Sequence, residues 1–282
     1  MQSLRDILLK TAAYLGKQGV DRPRFEAEQI LAKVLQLKRM ELYLRFDQPL
    51  APAELDALRP LVARRGRREP LAWVLGDEGF GEHEFAVHKG VLCPRQDTWA
   101  LVEAALALLP VDEDLFVADI GTGTGIVGLS IAAARPRVKL YAIDLSAEAL
   151  ANTKENARRL GLEARVALLH GSLLDPVPAA RPIDLVVSNP PYIRRGDLAG
   201  LDPEVRDWEP ILALDGGPDG LDVYRALIPQ AAKRARRGLA LEIGHDQAAD
   251  VTVLMSQAGF VDVTLRKDMA GRDRALAGRQ GG

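Results

Sequence analysis

The sequence of 282 residues has little of the residue types that hold small proteins together covalently or through metals. It contains one cysteine, Cys93, so no internal disulfide can form, and so little cysteine is typical of a reducing compartment. Its four histidines are scattered, and none stands at the spacing of a zinc site. We therefore expect no disulfide and no bound metal, and we place the protein in the cytoplasm.

Long hydrophobic segments are also lacking. Charged residues at Arg5, Asp6, Lys10 and Lys17 interrupt any signal-peptide core, and no later apolar run reaches the roughly 18 residues of a membrane span. Charge of one sign is lacking as well, because 37 basic and 39 acidic residues leave a net charge of -2. Such a chain has no general attraction to DNA or to anionic membranes, so we expect neither as a partner.

With 48% hydrophobic residues, the chain can bury a core, and its length suggests about two domains. Over residues 4–68, apolar residues recur at a three- and four-residue spacing, which predicts short helices. Asp21 and Pro23 predict the cap and the first turn of the second helix. Four arginines close this segment, and we interpret them as a solvated helix end, with contact to an acidic or nucleic-acid partner as the alternative: Arg64, Arg65, Arg67 and Arg68.

The residue pattern changes over residues 71–94, where glycines separate short segments of high β-propensity. Trp73-Val74-Leu75 and Phe85-Ala86-Val87 are two of these segments, and together they predict a hairpin-like linker. Strand-like runs then alternate with helical patterns, which predicts a parallel α/β sheet. These runs cover residues 115–120, 138–143, 164–169, 183–187 and 239–243.

A glycine-rich turn follows the first of these strands, in Asp119-Ile120-Gly121-Thr122-Gly123-Thr124-Gly125. Glycine permits the backbone angles of a tight turn and lets a ligand approach the main chain closely. Asp144 ends the next strand and can accept hydrogen bonds from both hydroxyls of a ribose. Gly123, Gly125 and Gly128 also fit the dinucleotide pattern. The glycine-rich turn and Asp144 are therefore compatible with either S-adenosylmethionine or NAD as the bound ligand.

The segment Asn189-Pro190-Pro191-Tyr192 directly follows a buried strand. The two prolines end the strand rigidly and present the Asn189 carboxamide and the Pro190 carbonyl in a fixed arrangement. Two such oxygens can hold both hydrogens of a planar NH2 group and aim its nitrogen at an electrophilic methyl group. We expect Tyr192 to stack on the planar group that is modified.

These motifs resemble those of the bacterial HemK/PrmC family, the protein-(glutamine-N5) methyltransferases that act on peptide chain release factors. The resemblance runs nearly from end to end of the chain. Besides the two motifs above, it includes Arg24-Phe25-Glu26-Ala27-Glu28, Glu69-Pro70-Leu71-Ala72, Glu209-Pro210, Ala213-Leu214-Asp215-Gly216-Gly217, Asp219-Gly220-Leu221-Asp222, Leu241-Glu242-Ile243-Gly244 and Gly271-Arg272-Asp273-Arg274.

The resemblance implies an α/β fold, a class I (Rossmann-like) S-adenosylmethionine-dependent methyltransferase domain with a seven-stranded sheet, over residues 95–282. It also implies a small helical substrate-recognition domain over residues 1–70 and a β-hairpin linker over residues 71–94. The implied reaction methylates N5 of the glutamine in the Gly-Gly-Gln motif of release factors and converts S-adenosyl-L-methionine to S-adenosyl-L-homocysteine. We expect the protein to act as a monomer.

The resemblance also assigns roles to residues of this chain. Asn189 and Pro190 are the predicted catalytic residues, and with Pro191 and Tyr192 they form the predicted substrate site. The predicted cofactor site consists of Asp119, Gly121, Thr122, Gly123, Thr124, Gly125, Asp144, Leu173 and Asn189. Two positions depart from the family pattern: Trp99 replaces a carboxylate, which puts a cofactor contact there in doubt, and Leu173 replaces an acidic residue near the adenine, where we expect apolar packing.

Several alternatives stay open on the sequence. A glutamine methyltransferase acting on a ribosomal protein has the same chemistry, and a DNA adenine-N6 methyltransferase can hold the amine of a flipped base in the same way. The net charge of -2 disfavours DNA. From other classes, an NAD-dependent oxidoreductase accounts for the glycines and Asp144, and a non-catalytic binding module accounts for the N-terminal helices.

Overall fold

The structure is a computed structural model that describes residues 2–281, and its contacts divide this chain into two units. The helical unit runs from the N-terminal region to Gly76 and also includes the distant segment Asp202–Trp208. The sheet unit comprises Asp77–Leu201 and the chain from Glu209 onward. No helix of residues 2–281 is both long enough and apolar enough to cross a membrane.

Helices and strands alternate along most of the described chain. The helices are α1 (Leu4–Lys17), α2 (Pro23–Leu35), α3 (Arg39–Tyr43), α4 (Pro52–Gly66), α5 (Leu71–Leu75), α6 (Trp99–Leu108), α7 (Ile126–Ala134), α8 (Ala147–Arg159), α9 (Pro203–Arg206), α10 (Asp222–Arg234) and α11 (Ala248–Gln257). The strands are β1 (Asp77–Phe80), β2 (His83–Ala86), β3 (Leu115–Ile120), β4 (Val138–Asp144), β5 (Val166–His170), β6 (Ile183–Ser188), β7 (Ala235–Glu242), β8 (Phe260–Lys267) and β9 (Asp273–Gln280).

The helical unit has its own apolar core, which follows the predicted spacing. Leu8 and Leu15 of α1 share this core with Ile30 and Leu31 of α2, and all four are buried. The predicted cap of α2 is wrong, because the capping residue is Arg22, which makes no side-chain capping bond, rather than Asp21. Pro23 does begin the helix, where a residue without an amide hydrogen leaves no bond unmade.

The predicted solvated helix end at the end of α4 is wrong for three of its four arginines, and only Arg67 is exposed. Arg65 is 2% exposed, and its guanidinium pairs with Glu26 and, at 3.0 Å, with Glu204 of α9. Arg68 also bonds Glu204, through Nε at 3.0 Å, and Arg64 pairs with Glu69 at 2.6 Å. A buried guanidinium needs carboxylate partners. Local sequence could not reveal these, since Glu204 lies 139 positions from Arg65.

The strand predicted at Trp73-Val74-Leu75 is wrong, because these residues belong to the short helix α5. Gly76 ends this helix with a positive φ of 81°, and its amide donates to the Ala72 carbonyl oxygen at 2.8 Å. The hairpin itself is shorter than residues 71–94. It consists of β1 and β2, which pair in antiparallel register from Asp77 with Ala86 to Phe80 with His83.

The sheet unit contains a seven-stranded sheet in the order β5-β4-β3-β6-β7-β9-β8, which confirms the class I (Rossmann-like) architecture. The five strands from β3 to β7 are parallel, as the alternating pattern predicts, whereas β9 runs antiparallel to both β7 and β8. Every residue of β6 is buried, as expected of a central strand covered on both faces. The chain turns to opposite sides of β3 in forming β4 and β6, which opens a crevice at the carboxyl ends of these strands.

Candidate active site

A cavity of about 380 Å³ lies in the sheet unit, at the carboxyl ends of β3, β4 and β6. This volume is in the range of pockets that hold small organic ligands. Three groups of predicted site residues meet in its wall: the glycine-rich turn after β3, Asp144 at the end of β4, and the Asn-Pro-Pro segment after β6. The parallel strands bring together residues that are up to 70 positions apart.

The turn after β3 requires glycine at three positions. Gly121, Gly123 and Gly125 have φ angles of 68°, 57° and 84°, which L side chains rarely adopt. Gly121 and Gly123 line the cavity together with Thr122 and Thr124, but Gly125 does not. Gly125 instead precedes α7, where a Cβ would approach the Leu129 side chain to 2.8 Å. Its cofactor role stays a prediction, while its structural role is evident.

Asp119 stabilises the same turn through two side-chain hydrogen bonds. Its Oδ2 accepts hydrogen bonds from the Thr122 hydroxyl at 2.8 Å and from the Gly128 amide at 3.0 Å. Because the side chain is buried, the pKa of Asp119 is raised to about 6. A Cβ on Gly128, the third glycine of the dinucleotide pattern, would lie 2.8 Å from this Oδ2. Glycine at this position therefore allows α7 to pack closely against Asp119. Gly128 is not among the residues that line the cavity.

Asp144 has the geometry for the predicted ribose contact. Its Oδ2 accepts from the Gly123 amide and its Oδ1 from the Ser146 amide, both at 2.9 Å. Each carboxylate oxygen has a second lone pair, so both can still accept from a hydroxyl in the cavity. Leu145 and Leu173 form an apolar part of the lining beside it, which suits a flat base. These residues therefore fit the adenosine part of S-adenosylmethionine.

Leu173 holds an unusual backbone conformation at this wall. Its φ of 48° lies in the left-handed region, which is uncommon for residues other than glycine. The side chain is partly buried against the core on one face of the sheet and lines the cavity. Its placement agrees with the apolar packing expected at this departure from the family pattern.

Asn189, Pro190 and Pro191 line the cavity where β6 ends. The Ser188 hydroxyl fixes this end by donating to the Ile120 carbonyl oxygen at 2.7 Å. Asn189 is half-buried, and no hydrogen bond within the described residues engages its carboxamide. Tyr192 lies outside the lining, and its hydroxyl is 3.4 Å from Glu242 Oε1. Stacking of Tyr192 on the substrate therefore stays a prediction.

Sequence reasoning missed the wall that faces the glycine turn. Arg95 lines the cavity, and its guanidinium pairs with Glu209 at 2.7 Å and donates to the Cys93 carbonyl oxygen at 2.8 Å. Burial raises the pKa of Glu209, and Arg95 opposes this effect. Glu209 stands in Glu209-Pro210, a motif of the family resemblance, and Arg95 stands in the segment that departs from the family pattern at Trp99. These two positions were the available signal in the sequence. Further lining comes from Pro210, Leu212, Ala213, Asp222, Val223 and Ala226.

Trp99, the other departure from the family pattern, packs away from the cavity. Its ring lies 5.5 Å from that of Phe80 in an edge arrangement, and a Cβ on Gly81 would approach it to 2.5 Å. Trp99 is absent from the cavity lining and is 36% exposed. The residue therefore covers the turn of the hairpin between Phe80 and His83 and does not line the cavity, which agrees with the doubt about a cofactor contact at this position.

Comparison with known proteins agrees with this architecture. The family model described as PrmC N-terminal domain matches residues 6–76, and the one described as methyltransferase small domain matches residues 85–200. A crystal structure of ribosomal protein L11 methylase from Lactobacillus delbrueckii subsp. bulgaricus shares the fold. Its TM-score is 0.51 at 22% sequence identity, over 70% of this chain and 84% of that one.

Two curated relatives match nearly the whole chain. The release factor glutamine methyltransferase of Geobacter sulfurreducens is 44% identical over 281 residues, which is 99% of this chain and 97% of that protein. The protein of the same name from Moorella thermoacetica is 45% identical over 277 residues, or 97% of each chain. The resemblance to the HemK/PrmC proteins is thus confirmed, and the chain belongs to the release factor glutamine methyltransferase family.

Proposed function

We infer that this protein transfers a methyl group from S-adenosyl-L-methionine to N5 of the glutamine in the Gly-Gly-Gln motif of a peptide chain release factor. Membership of the family supports this reaction. The single observation that carries it is the Asn189 carboxamide, which lines the same cavity as Asp144 and forms no hydrogen bond within the described residues. An acceptor for an NH2 group thereby shares a cavity with an acceptor for a ribose.

The cofactor supplies an electrophilic methyl group on a sulfonium centre. In this proposal Asp144 binds the ribose hydroxyls through its two remaining lone pairs, and Leu173 packs against the adenine. Gly121 and Gly123 let the ligand approach the main chain because they carry no Cβ. Asp119 also lines the cavity, and because its Oδ2 is occupied by two donors of the turn, it contacts the cofactor through Oδ1 in this proposal.

Positioning supplies most of the catalysis in this proposal. An amide nitrogen is a poor nucleophile because its lone pair is delocalised into the carbonyl group. The Asn189 side-chain oxygen and the Pro190 carbonyl oxygen each accept one hydrogen of the glutamine NH2, which fixes the nitrogen in line with the methyl group. The same oxygens stabilise positive charge that develops on the nitrogen, and the proton then leaves to water. No covalent intermediate with the enzyme is needed.

The N-terminal helices provide the second part of the proposal. We assign substrate recognition to residues 1–70, the link to 71–94 and catalysis to 95–282. The internal pairing of Arg64, Arg65 and Arg68 with glutamates of the helical unit removes the strongest sequence candidate for a DNA-binding face. This supports a protein substrate, and we propose that the enzyme works as a monomer in the cytoplasm.

One methylation assay tests both the substrate and the residues. The purified protein is incubated with labelled S-adenosyl-L-methionine and a release factor, a ribosomal-protein fraction or duplex DNA, and mass spectrometry locates the label. We expect label on the release-factor glutamine and none on its glutamine-to-alanine variant. Label confined to ribosomal protein or DNA would contradict the substrate, and retention of NAD in place of S-adenosylmethionine would contradict the reaction class.

The residue assignment is tested separately. Asn189→Ala removes one of the two oxygens that hold the substrate NH2, so kcat is expected to fall at least about a hundredfold. Asn189 is also among the predicted cofactor residues, so the Kd for S-adenosylmethionine is measured by calorimetry to separate that role from the effect on kcat. Asn189→Asp keeps an oxygen acceptor in the same place and serves as the matched variant. Near-normal turnover by Asn189→Ala would rule out the mechanism.

A further inference from the structure

A buried polar cluster lies behind Tyr192 in the sheet unit. The Tyr192 hydroxyl donates to Glu242 Oε1 at 3.4 Å and accepts from Arg274 Nη1, also at 3.4 Å. Glu242 is 2% exposed and Arg274 is 8% exposed. Glu242 ends β7 and Arg274 lies near the start of the neighbouring antiparallel strand β9, where Ala275 is the register partner of Glu242. The fold thus brings together two sequence motifs that the proposed function leaves without a role.

The backbone of Tyr192 is held from another side. Gln247, which is 2% exposed, donates from Nε2 to the Tyr192 carbonyl oxygen at 3.0 Å. Its other amide atom, Oε1, accepts from the Gly244 amide at 2.9 Å, so the side chain is fixed at both ends. Gly220 packs against the same carbonyl, since a Cβ there would come within 2.4 Å of it. Both the side chain and the main chain of Tyr192 are therefore restrained.

Burial of the Glu242 carboxyl group in the core costs free energy, because the group loses its contacts with water. Its second oxygen, Oε2, is buried without a hydrogen-bond partner among the described residues. Burial raises the pKa of Glu242 to about 7, although Thr98, Arg274 and Tyr192 act in the opposite direction. A well-packed apolar residue would satisfy the core better. Charged and titratable groups that face Glu242 or its partner Arg274 are Asp97, Tyr192, Tyr224, Asp268 and Arg274.

We propose that Glu242 and Arg274 are positioning residues that hold the Tyr192 hydroxyl and, through it, the Asn189-Pro190-Pro191-Tyr192 segment. The proposal rests on the proposed function and deepens it. Because proline fixes its own φ, Pro190 and Pro191 form a stiff connection, and a shift of Tyr192 moves the Pro190 carbonyl. A displacement of about 1 Å at a reacting centre can reduce the rate about a hundredfold. The cluster therefore acts on kcat rather than on cofactor binding.

The ionised form of Glu242 is the form that holds Tyr192 best. A carboxylate accepts the phenolic hydrogen bond and attracts Arg274 across the Tyr192 hydroxyl, whereas a neutral carboxyl loses this attraction. Arg274 also pairs with Asp268 and Asp97, at 3.3 and 3.7 Å, and keeps these partners in either case. We therefore expect kcat to rise with pH through an apparent pKa near 7. Glu242→Gln keeps the shape but does not titrate, so it is expected to flatten this rise.

A double-mutant cycle gives the sharpest test. Glu242→Gln and Tyr192→Phe are each expected to lower kcat on a release factor at least about tenfold, with the Kd for S-adenosylmethionine changed less than about twofold. Because Glu242 acts through the Tyr192 hydroxyl, the double variant is expected to be no slower than Tyr192→Phe alone. Glu78→Gln is the control, since burial also raises the pKa of Glu78 but no hydrogen bond connects it to Tyr192.

A second readout does not depend on activity. In protein labelled with ¹³C at the tyrosine ζ-carbon, the Tyr192 signal, assigned with Tyr192→Phe, is expected to shift near pH 7, and Glu242→Gln is expected to abolish that shift. If the unmodified protein methylates no release factor, the proposed function fails. The pH-dependent Tyr192 signal would then still report on the hydrogen bond between Tyr192 and Glu242. Multiplicative loss of kcat in the double variant, or a Tyr192 signal without the shift, would overturn the positioning role.

Discussion

Gly128→Ala is the substitution whose effect the structure defines most sharply. Gly128 lies in α7, and a Cβ there would be 2.8 Å from Asp119 Oδ2 and 2.8 Å from both δ-methyl carbons of Leu140. Real Cβ atoms do not approach so closely, so the Asp119 carboxylate, the Leu140 side chain of β4 or α7 itself has to shift. The movement also stretches the hydrogen bond from the Gly128 amide to Asp119 Oδ2, which is 3.0 Å long.

Two effects of opposite sign determine how Gly128→Ala changes the free energy of unfolding. Alanine is the better helix former, by about 1 kcal/mol. Overpacking of a buried site destabilises by about 1 to 3 kcal/mol, and loss of a hydrogen bond to a charged group by about 1.5 to 3 kcal/mol. The net destabilisation is therefore about 1.5 to 5 kcal/mol. At about 2 to 4 °C per kcal/mol for a domain of this size, Tm is expected to fall by at least about 3 °C.

Thermal unfolding followed by circular dichroism measures this change, and Gly196→Ala is the matched control. Gly196 also lies in the sheet unit, has no positive φ, and has no atom within 4 Å of an added Cβ. Alanine there is expected to leave Tm unchanged or to raise it slightly, because it reduces the entropy of the unfolded chain. If Gly128→Ala unfolds at the same temperature as Gly196→Ala, the packing argument for the third glycine is refuted.

Three further predictions concern the cavity and its surroundings. Asp144→Ala removes the proposed acceptor of the ribose hydroxyls and the observed acceptor of two backbone amides, so calorimetry is expected to show the Kd for S-adenosylmethionine raised at least about tenfold; an unchanged Kd would contradict the proposed cofactor site. Asp119 has its pKa raised by burial from 3.8 to about 6, so it binds its proton more tightly in the folded chain. Its contribution to the free energy of unfolding therefore falls as pH rises from about 4 to about 6, by at most about 3 kcal/mol, and urea titrations of Asp119→Asn are expected to show a flatter dependence in that range. Trp99→Ala is expected to lower stability by about 1 to 2 kcal/mol through lost contact with Phe80, with the Kd for S-adenosylmethionine unchanged, and a large change in that Kd would place Trp99 in the cofactor site after all.

The central strands were the most predictable part of the fold. The run predicted over residues 115–120 coincides with β3, and that over 183–187 differs from β6 by one residue. Both strands are covered on two faces, so most of their residues are apolar and the pattern is clear. The edge strand β8 carries mostly exposed residues, and no apolar run marks it, so its presence followed only from the family resemblance.

Short apolar runs were less informative. Trp73-Val74-Leu75 contains β-prone residues, but three residues fit a buried turn of helix equally well. The two prolines after β6 and the glycines of the turn after β3 could be recognised in the sequence, because each restricts or frees the backbone through its own covalent structure. Their chemistry therefore appears in the sequence without knowledge of any neighbour.

The sequence by itself determined the fold class, the nucleotide turn, the Asn189-Pro190-Pro191-Tyr192 segment and the family. These features depend on backbone restrictions and on periodic burial, which are local properties of the chain. Only the tertiary structure decided which charges are buried and with which partners. It paired Arg65 with Glu204 and placed Glu242 and Arg274 behind Tyr192, because such contacts join positions far apart in the chain and are settled by packing rather than by local pattern.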